Sequence, residues 1–296
     1  MELIKLDEKT YYIKNNTNIG VYKLDDENVI LIDTGNDKEA GKKILKITEE
    51  QNLHVKMIIN THSHADHIGG NNVIQTRTNC DIYSSKIETS LINNTILESA
   101  VLYGASPLSS LKNKFLYAKE SNAKVIDNND INNLEIIDLK GHSYDMIGIK
   151  TDDDVIFLGD ALASENTINK YHIFYLYDVK EYLNTLEKLK TLKAKKYVLS
   201  HNEVTNNLNN LIKANEDKIN EIINNIYKIL ATSKTFEEIL KEIFDMYNLN
   251  MNVSQYYLVG TSIKAYLSYL CNDDKITYEF KENKMYYKIK GDEKSA

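Results

Sequence analysis

Thr61-His62-Ser63-His64-Ala65-Asp66-His67-Ile68-Gly69-Gly70 places three imidazoles and one carboxylate within six positions. The apolar, β-branched stretch Val55–Asn60 leads straight into it and reads as a strand, so these side chains sit on the loop just past a strand end. Imidazole nitrogen and carboxylate oxygen are the ordinary ligands of Zn²⁺. The chain has only seven histidines, and three of them are here, which argues against a chance surface cluster. A tight loop can turn His62 and His64 toward one ion and Asp66 and His67 toward a neighbour. Gly69 and Gly70 let the backbone pass close behind.

Working outward, three further candidates each follow an apolar strand. His142 stands in Gly141-His142-Ser143 after Leu134–Leu139, Asp160 in Phe157-Leu158-Gly159-Asp160, and His201 in Val198-Leu199-Ser200-His201. Taken singly they could be a turn histidine, a helix N-cap and a surface residue. Ligands at successive strand ends can instead converge on one rim of a sheet. Short strands are expected at 11–13, 20–24, 29–33, 81–83, 124–126, 147–151, 155–158 and 196–199, with helices at 36–51 and 179–192. Strand meanders mixed with helices imply two mixed sheets with helices outside. Residues 84–119 read as a helical or irregular insertion broken at Tyr103–Pro107, either a lid carrying Tyr103, Phe115 and Tyr117 or a layer packed on the sheet. After His201 the pattern changes to helices at 208–230, 236–247 and 259–270 and a hairpin at 275–289.

In these motifs the chain resembles the metallo-β-lactamase superfamily, over roughly residues 10–205. HxHxDH, a Gly-His, an Asp after a strand and a final His all occur in order. The resemblance implies an α+β, four-layer αββα sandwich over 1–205, with a small helical, winged-helix-like module over 206–296. It implies that His62, His64 and His142 hold a first metal, that Asp66, His67 and His201 hold a second, and that Asp160 bridges them. Asp33, in Leu31-Ile32-Asp33-Thr34-Gly35, resembles the early strand-end Asp that supports the site from behind, so the catalytic residues implied are Asp66 and Asp33. A bridging Asp160 is similar to glyoxalase II-type thioesterases, RNase Z-like nucleases and lactonases, and disfavours true β-lactamases. His64 stands where the flavodiiron branch has Glu. One departure is Gly141-His142-Ser143-Tyr144-Asp145-Met146, where many relatives read Gly-His-Thr-Pro-Gly-His. Tyr144 could therefore shape the substrate side or be a packed loop tyrosine.

The expected function is a dinuclear metal-dependent hydrolase acting on a small ester, thioester or lactone. Two divalent ions, zinc first with iron or manganese as alternatives, would share a hydroxide at about 3.5–4 Å separation. Three alternatives stay open: a nuclease or phosphodiesterase, a mononuclear iron oxygenase, and a DNA-binding regulator with a sensing metal site. The net charge of −7 and the balance after residue 205, 12 lysines against 13 carboxylates, speak against a nucleic-acid partner. The C-terminal module is read as a wall of the cleft or a homodimer contact. His172, between Asp160 and the next helix, is a candidate substrate contact, and His54 a surface or structural residue. No stretch approaches the ~20 apolar residues that span a bilayer. No leader is apparent, and Cys80 and Cys271 form no paired motif, so a cytoplasmic setting with reduced thiols is expected.

Overall fold

In the computed structural model, residues 1–127, 131 and 133–290 are described; residues 291–296 of the expected C-terminal module lie outside them. The first sheet contains β1 (Leu3–Lys5), β2 (Thr10–Ile13), β3 (Ile19–Lys23), β4 (Asn28–Ile32), β5 (His54–Ile59), β6 (Asp81–Ser84) and β7 (Ala123–Val125), bonded side by side in chain order. Pairing is antiparallel through β4 and parallel from β4 to β7. The parallel part needs crossovers. They are α1 (Lys38–Glu50), then α2 (Ala65–Ile68) with α3 (Asn71–Thr78), then α4 (Lys86–Asn93) with α5 (Ile96–Tyr103). The second sheet contains β8 (Leu134–Asp138), β9 (Ile147–Thr151), β10 (Val155–Phe157) and β11 (Lys196–Val198), also side by side. Helices α6 (Glu165–Tyr171) and α7 (Val179–Thr191) connect its last two strands.

Alternation along single strands builds the layers. In β4, Val29 and Leu31 pack with Ile44 and Leu45 of α1, while Ile30 and Ile32 face the other sheet. In β10, Val155 and Phe157 meet Ile30 and Ile32 between the sheets, while Ile156 packs with Val179, Tyr182 and Leu186 of α7. Both sheets are therefore apolar on both faces, and each needs a helical layer outside: the αββα order. The sheets approach so closely at Gly20 that a Cβ there would stand 2.7 Å from the Phe157 ring.

Beyond β11 come α8 (Asn209–Ile229), β12 (Lys234–Thr235), α9 (Phe236–Met246), α10 (Val253–Asn272), β13 (Ile276–Lys281) and β14 (Lys284–Ile289), with the three strands in one small sheet ordered β12-β14-β13. Helix α10 starts six residues before the expected Val259. The Asn252 side chain caps it at Gln255 N–H, and Val253–Tyr257, exposed or half-buried, show no apolar stripe. Strands β1 and β12 and helices α2, α3 and α6 are too short or too polar to register in the sequence. The insertion is a helical layer: Leu102, Leu111 and Leu116 cluster with Tyr103, Tyr175, Tyr257 and Leu258, while Phe115 is exposed.

The apolar seam under α7 continues without a break through α8, α9 and α10. Fully buried Asn215 of α8 is a polar point within it. It accepts from Ala163 N–H (3.0 Å) and the Tyr182 hydroxyl (2.7 Å), and donates to Ala163 C=O (2.9 Å). Asn215→Leu orphans both main-chain groups of Ala163. It should cost about 1–3 kcal/mol in urea unfolding, whereas a loss under about 0.5 kcal/mol would mean that the loop finds other partners.

Candidate metal centre

Strand ends deliver the donors. Past β5, Thr61 carries the chain into His62 and His64, and α2 then turns Asp66 and His67 inward within one helical turn. The loop can lie flat only because of its glycine pair: a Cβ on Gly69 would stand 2.3 Å from Asn36 C, and one on Gly70 2.5 Å from Thr34 O. His142 comes from the β8–β9 loop, where Gly141 has φ +118° and presses on Tyr182 of α7. Asp160 follows β10, and His201 follows β11.

The structure brings all seven predicted ligands together. His64 Nδ1 lies 3.0 Å from both His62 Nε2 and His142 Nε2. His201 Nε2 is 3.2 Å from Asp66 Oδ2, and His67 Nε2 is 3.7 Å from the same oxygen. Asp160 stands between the trios: Oδ1 is 3.5 Å from His67 Nε2, and Oδ2 is 3.5 Å from His142 Nε2 and 3.3 Å from His201 Nε2.

Each imidazole turns its other nitrogen toward an oxygen. The partners are Thr61 Oγ1 for His62 Nδ1 (3.0 Å), Glu98 Oε1 for His64 Nε2 (3.5 Å), Asp33 Oδ2 for His67 Nδ1 (2.8 Å), and the carbonyls of Tyr175 for His142 Nδ1 (3.1 Å) and of Asn16 for His201 Nδ1 (2.8 Å). A carbonyl only accepts, so Nδ1 of His142 and of His201 carries the proton. Thr61 Oγ1 donates to Asp33 Oδ2 (2.8 Å), so it accepts from His62. Asp33 thus orients His67 directly and His62 through Thr61, and it also accepts from Thr61 N–H (2.8 Å). It does so from a left-handed backbone, φ 62°.

With outward nitrogens protonated, the inward ones of His62, His64 and His142 present three lone pairs to one point. Burial, with neighbouring histidines, holds His62 well below its ordinary pKa and brings His64 and His142 down to about 4. The other trio is charged. Asp160 pushes His201 up to about 12 against the cost of burial. Burial opposes a proton on His67, but Asp66, Asp160 and Asp33 together raise it well above its usual value. Burial disfavours the charges on Asp66 and Asp160, yet the neighbouring His67 and His201 hold both carboxyls below the usual range. His67 Nε2 is buried and makes no hydrogen bond. Converging lone pairs, an orphaned ring nitrogen and carboxylates between them suit cations bound by nitrogen and oxygen.

The two candidate substrate contacts each lie against another aromatic ring. Tyr144 packs on Tyr177 with ring centres 4.1 Å apart, and His172 stacks on Tyr247, at the end of α9, at 5.2 Å. A hollow beside the donors is lined by His142, Asp160, His201, Leu162, Ala163 and Phe174, with the hydroxyl residues Ser164 and Thr167. Sequence reasoning missed Glu88, Glu98, Tyr175, Asn16 and Thr17, whose hydroxyl donates to Asp66 Oδ2 (3.3 Å). The two glutamates left a trace. Glu88 shares the buried face of α4 with Leu91 and Ile92, and Glu98 that of α5 with Leu102, and a carboxylate inside an apolar stripe needs a reason. The contacts of Tyr175 and Asn16 are made by backbone carbonyls, which leave no trace in residue type.

Comparison with known proteins fits this geometry. The hydroxyacylglutathione hydrolase GloC of Haemophilus influenzae is 27% identical over 139 residues, 47% of this chain and 63% of that protein. A hydroxyacylglutathione hydrolase of Prochlorococcus marinus is 26% identical over 174 residues, 56% of this chain and 57% of that protein. The chain thus spans less than two-thirds of the length of these curated relatives. A beta-lactamase domain protein from Burkholderia ambifaria superposes with a TM-score of 0.73 at 14% identity, over 97% of this chain and 93% of that one. A metallo-beta-lactamase family protein from Thermus thermophilus superposes with a TM-score of 0.70 at 15% identity, over 97% of both chains. These two likenesses establish the fold and extend it through the C-terminal helices. The sequence model of the metallo-beta-lactamase superfamily matches residues 13–201, a span that runs from β2 through every ligand candidate to His201 and covers well over half of the sequence, and the chain belongs to that superfamily.

Proposed function

We propose that this protein is a metal-dependent hydrolase that uses two divalent cations, zinc by preference, on a small acyl substrate: an ester, thioester or lactone. The observation that carries this is the double trio with Asp160 between: five imidazoles, each with one nitrogen turned inward and the other held by an oxygen. His62, His64 and His142 would hold one cation, Asp66, His67 and His201 the other, and Asp160 would touch both. Two such ions supply a water ionised at neutral pH and a Lewis acid for the substrate's oxygen. The protein's own contribution is to fix the donors and to keep the reacting centre beside a dry wall. Asp33 and Thr61 hold one ring of each trio, and the Tyr175 and Asn16 carbonyls set two tautomers.

The adjoining hollow favours an acyl over a phosphodiester substrate. Leu162, Ala163 and Phe174 offer it an apolar wall, and among the described residues no lysine or arginine lines it, whereas phosphate ligands call for cationic partners. Hydroxyacylglutathione hydrolase as the name of two relatives points the same way, toward a thioester. Residues 206–296 serve as an accessory module. Asn215 braces Ala163 of the hollow, and Ser262 of α10 accepts from Leu176 N–H (3.1 Å), next to Tyr175.

The test is a panel of acyl and phosphoryl substrates with the metal-loaded protein. Hydrolysis of at least one acyl class is expected, with loss on chelation by about 100-fold or more and recovery on adding zinc back. Two bound ions per chain without turnover of any acyl substrate would refute the proposal, and a single iron per chain would point to oxygenase chemistry instead.

A further inference from the structure

We propose that the inserted α4–α5 layer is part of the first metal site, with Glu88 and Glu98 as positioning residues for His62, His64 and His142. This rests on the metal-site reading above and names residues that neither the ligand motif nor the hydrolytic reading requires.

Glu88 is fully buried. Its Oε2 accepts from Ser63 N–H at 2.9 Å, and its Oε1 accepts from the Ser143 hydroxyl at 2.7 Å and from Asp145 N–H at 2.9 Å. Ser63 lies between His62 and His64, and Ser143 follows His142. One carboxylate therefore ties together the two loops that carry all three nitrogen donors, which are 78 residues apart at their contact. Among the described residues no lysine or arginine forms a salt bridge with Glu88. A buried carboxylate without a cation is costly, and here three donors aimed from two loops compensate for it.

Glu98 acts on the ring itself. Its Oε1 is the oxygen facing His64 Nε2, at 3.5 Å, and its Oε2 is buried without a hydrogen bond. His64 takes part in the trio through Nδ1, so its proton must sit on Nε2, and Glu98 is the acceptor placed to keep it there. Such outer partners of a ligating histidine typically tune metal affinity by about 10–100-fold. In the other rings this job falls to a carbonyl, to Asp33 or to Thr61. Among the described residues, only the His64 ring faces a side chain of the insertion with its outer nitrogen, while Glu88 holds the loops of all three, which makes these two helices more than a cover over β6 and β7.

The experiment is zinc titration of the full chain against a chelating indicator, resolving two binding steps, alongside melting of the metal-free protein. Glu98→Met is expected to weaken one step by about 10–100-fold and leave the other within about threefold. It should leave the metal-free melting temperature unchanged or higher, because a buried orphan oxygen is removed. Glu98→Gln, whose amide oxygen accepts the same N–H, is expected to restore that step to within about threefold of the wild type. Glu88→Gln sets an amide N–H against one of three donors and is expected to weaken the same step as Glu98→Met. A merely structural role would lower the melting temperature and both steps together, and that result overturns the proposal. So does wild-type binding in both Glu98→Met and Glu88→Gln. If the wild-type chain itself binds no zinc, the fault lies in the metal-site reading, and the inference falls with it.

Discussion

Asp160→Ala is expected to abolish hydrolysis, lowering kcat by about 1,000-fold or more, equivalent to about 4 kcal/mol of barrier. Among the described residues, Asp160 is the one carboxylate within 3.5 Å of nitrogens from both trios. With two cations held as proposed, its removal would take a donor from each and the negative charge that would let two dications sit close together. The metal-free protein should lose stability too, because Asp160 is the main partner of a His201 that it drives to about 12. Glu in its place keeps the charge but adds a methylene beside walls already in contact, so recovery should be under about a tenth of wild-type activity. Steady-state kinetics at saturating zinc, with metal content measured on the same samples, checks both variants. An Asp160→Ala protein holding two ions and turning over within tenfold of wild type would remove Asp160 from the centre of the mechanism.

The seven converging side chains were legible because they are ligating residue types on loops that begin where apolar runs stop: Ile59 before His62, Leu158 before Asp160, Leu199 before His201. That combination survives without coordinates, and the uninterrupted apolar run Val29-Ile30-Leu31-Ile32 suits a strand covered on both faces. What holds the donors was far less legible. Tyr175 and Asn16 contribute carbonyls, which every residue has. Glu88 and Glu98 act from helices whose sequence positions, 21 or more residues past His67, carry no spacing rule relative to the motif. His172 shows another limit of position in sequence. A histidine near a metal rim in sequence invites a substrate role, and the structure gives it φ 55° and stacks it on Tyr247 at the end of α9, a contact that no spacing rule foretells. The fold thus follows from hydrophobic alternation, and the ligands from residue type. The supporting bonds depend on tertiary approach, which no local pattern encodes.

Asp33 offers the sharpest separation of charge from shape. Its Oδ2 accepts from His67 Nδ1 and from the Thr61 hydroxyl, and its Oδ1 accepts from Thr61 N–H, all at 2.8 Å. In Asp33→Ala the buried Thr61 N–H loses its partner, which should cost about 1–3 kcal/mol of stability. One ring in each trio is also released, lowering metal affinity by about 100-fold or more. Asp33→Asn should be gentler on stability and no gentler on binding. With its amide oxygen retained toward Thr61 N–H, the NH₂ group faces His67 Nδ1 and can only donate. His67 must then move its proton to Nε2, the nitrogen that faces the metal position. The ring stays in place with its lone pair on the wrong side. The expected signature is a melting temperature near wild type in the metal-free protein, combined with a zinc affinity and kcat reduced by about 100-fold or more. Nitrogen-15 NMR of the histidine side chains in the metal-free protein should show that His67 loses the proton on Nδ1 and keeps the one on Nε2. If Asp33→Asn binds zinc and turns over within threefold of wild type, the Asp33–His67 bond orients nothing that matters, and the support of the second trio must be sought in Thr17 and the Asn16 carbonyl instead.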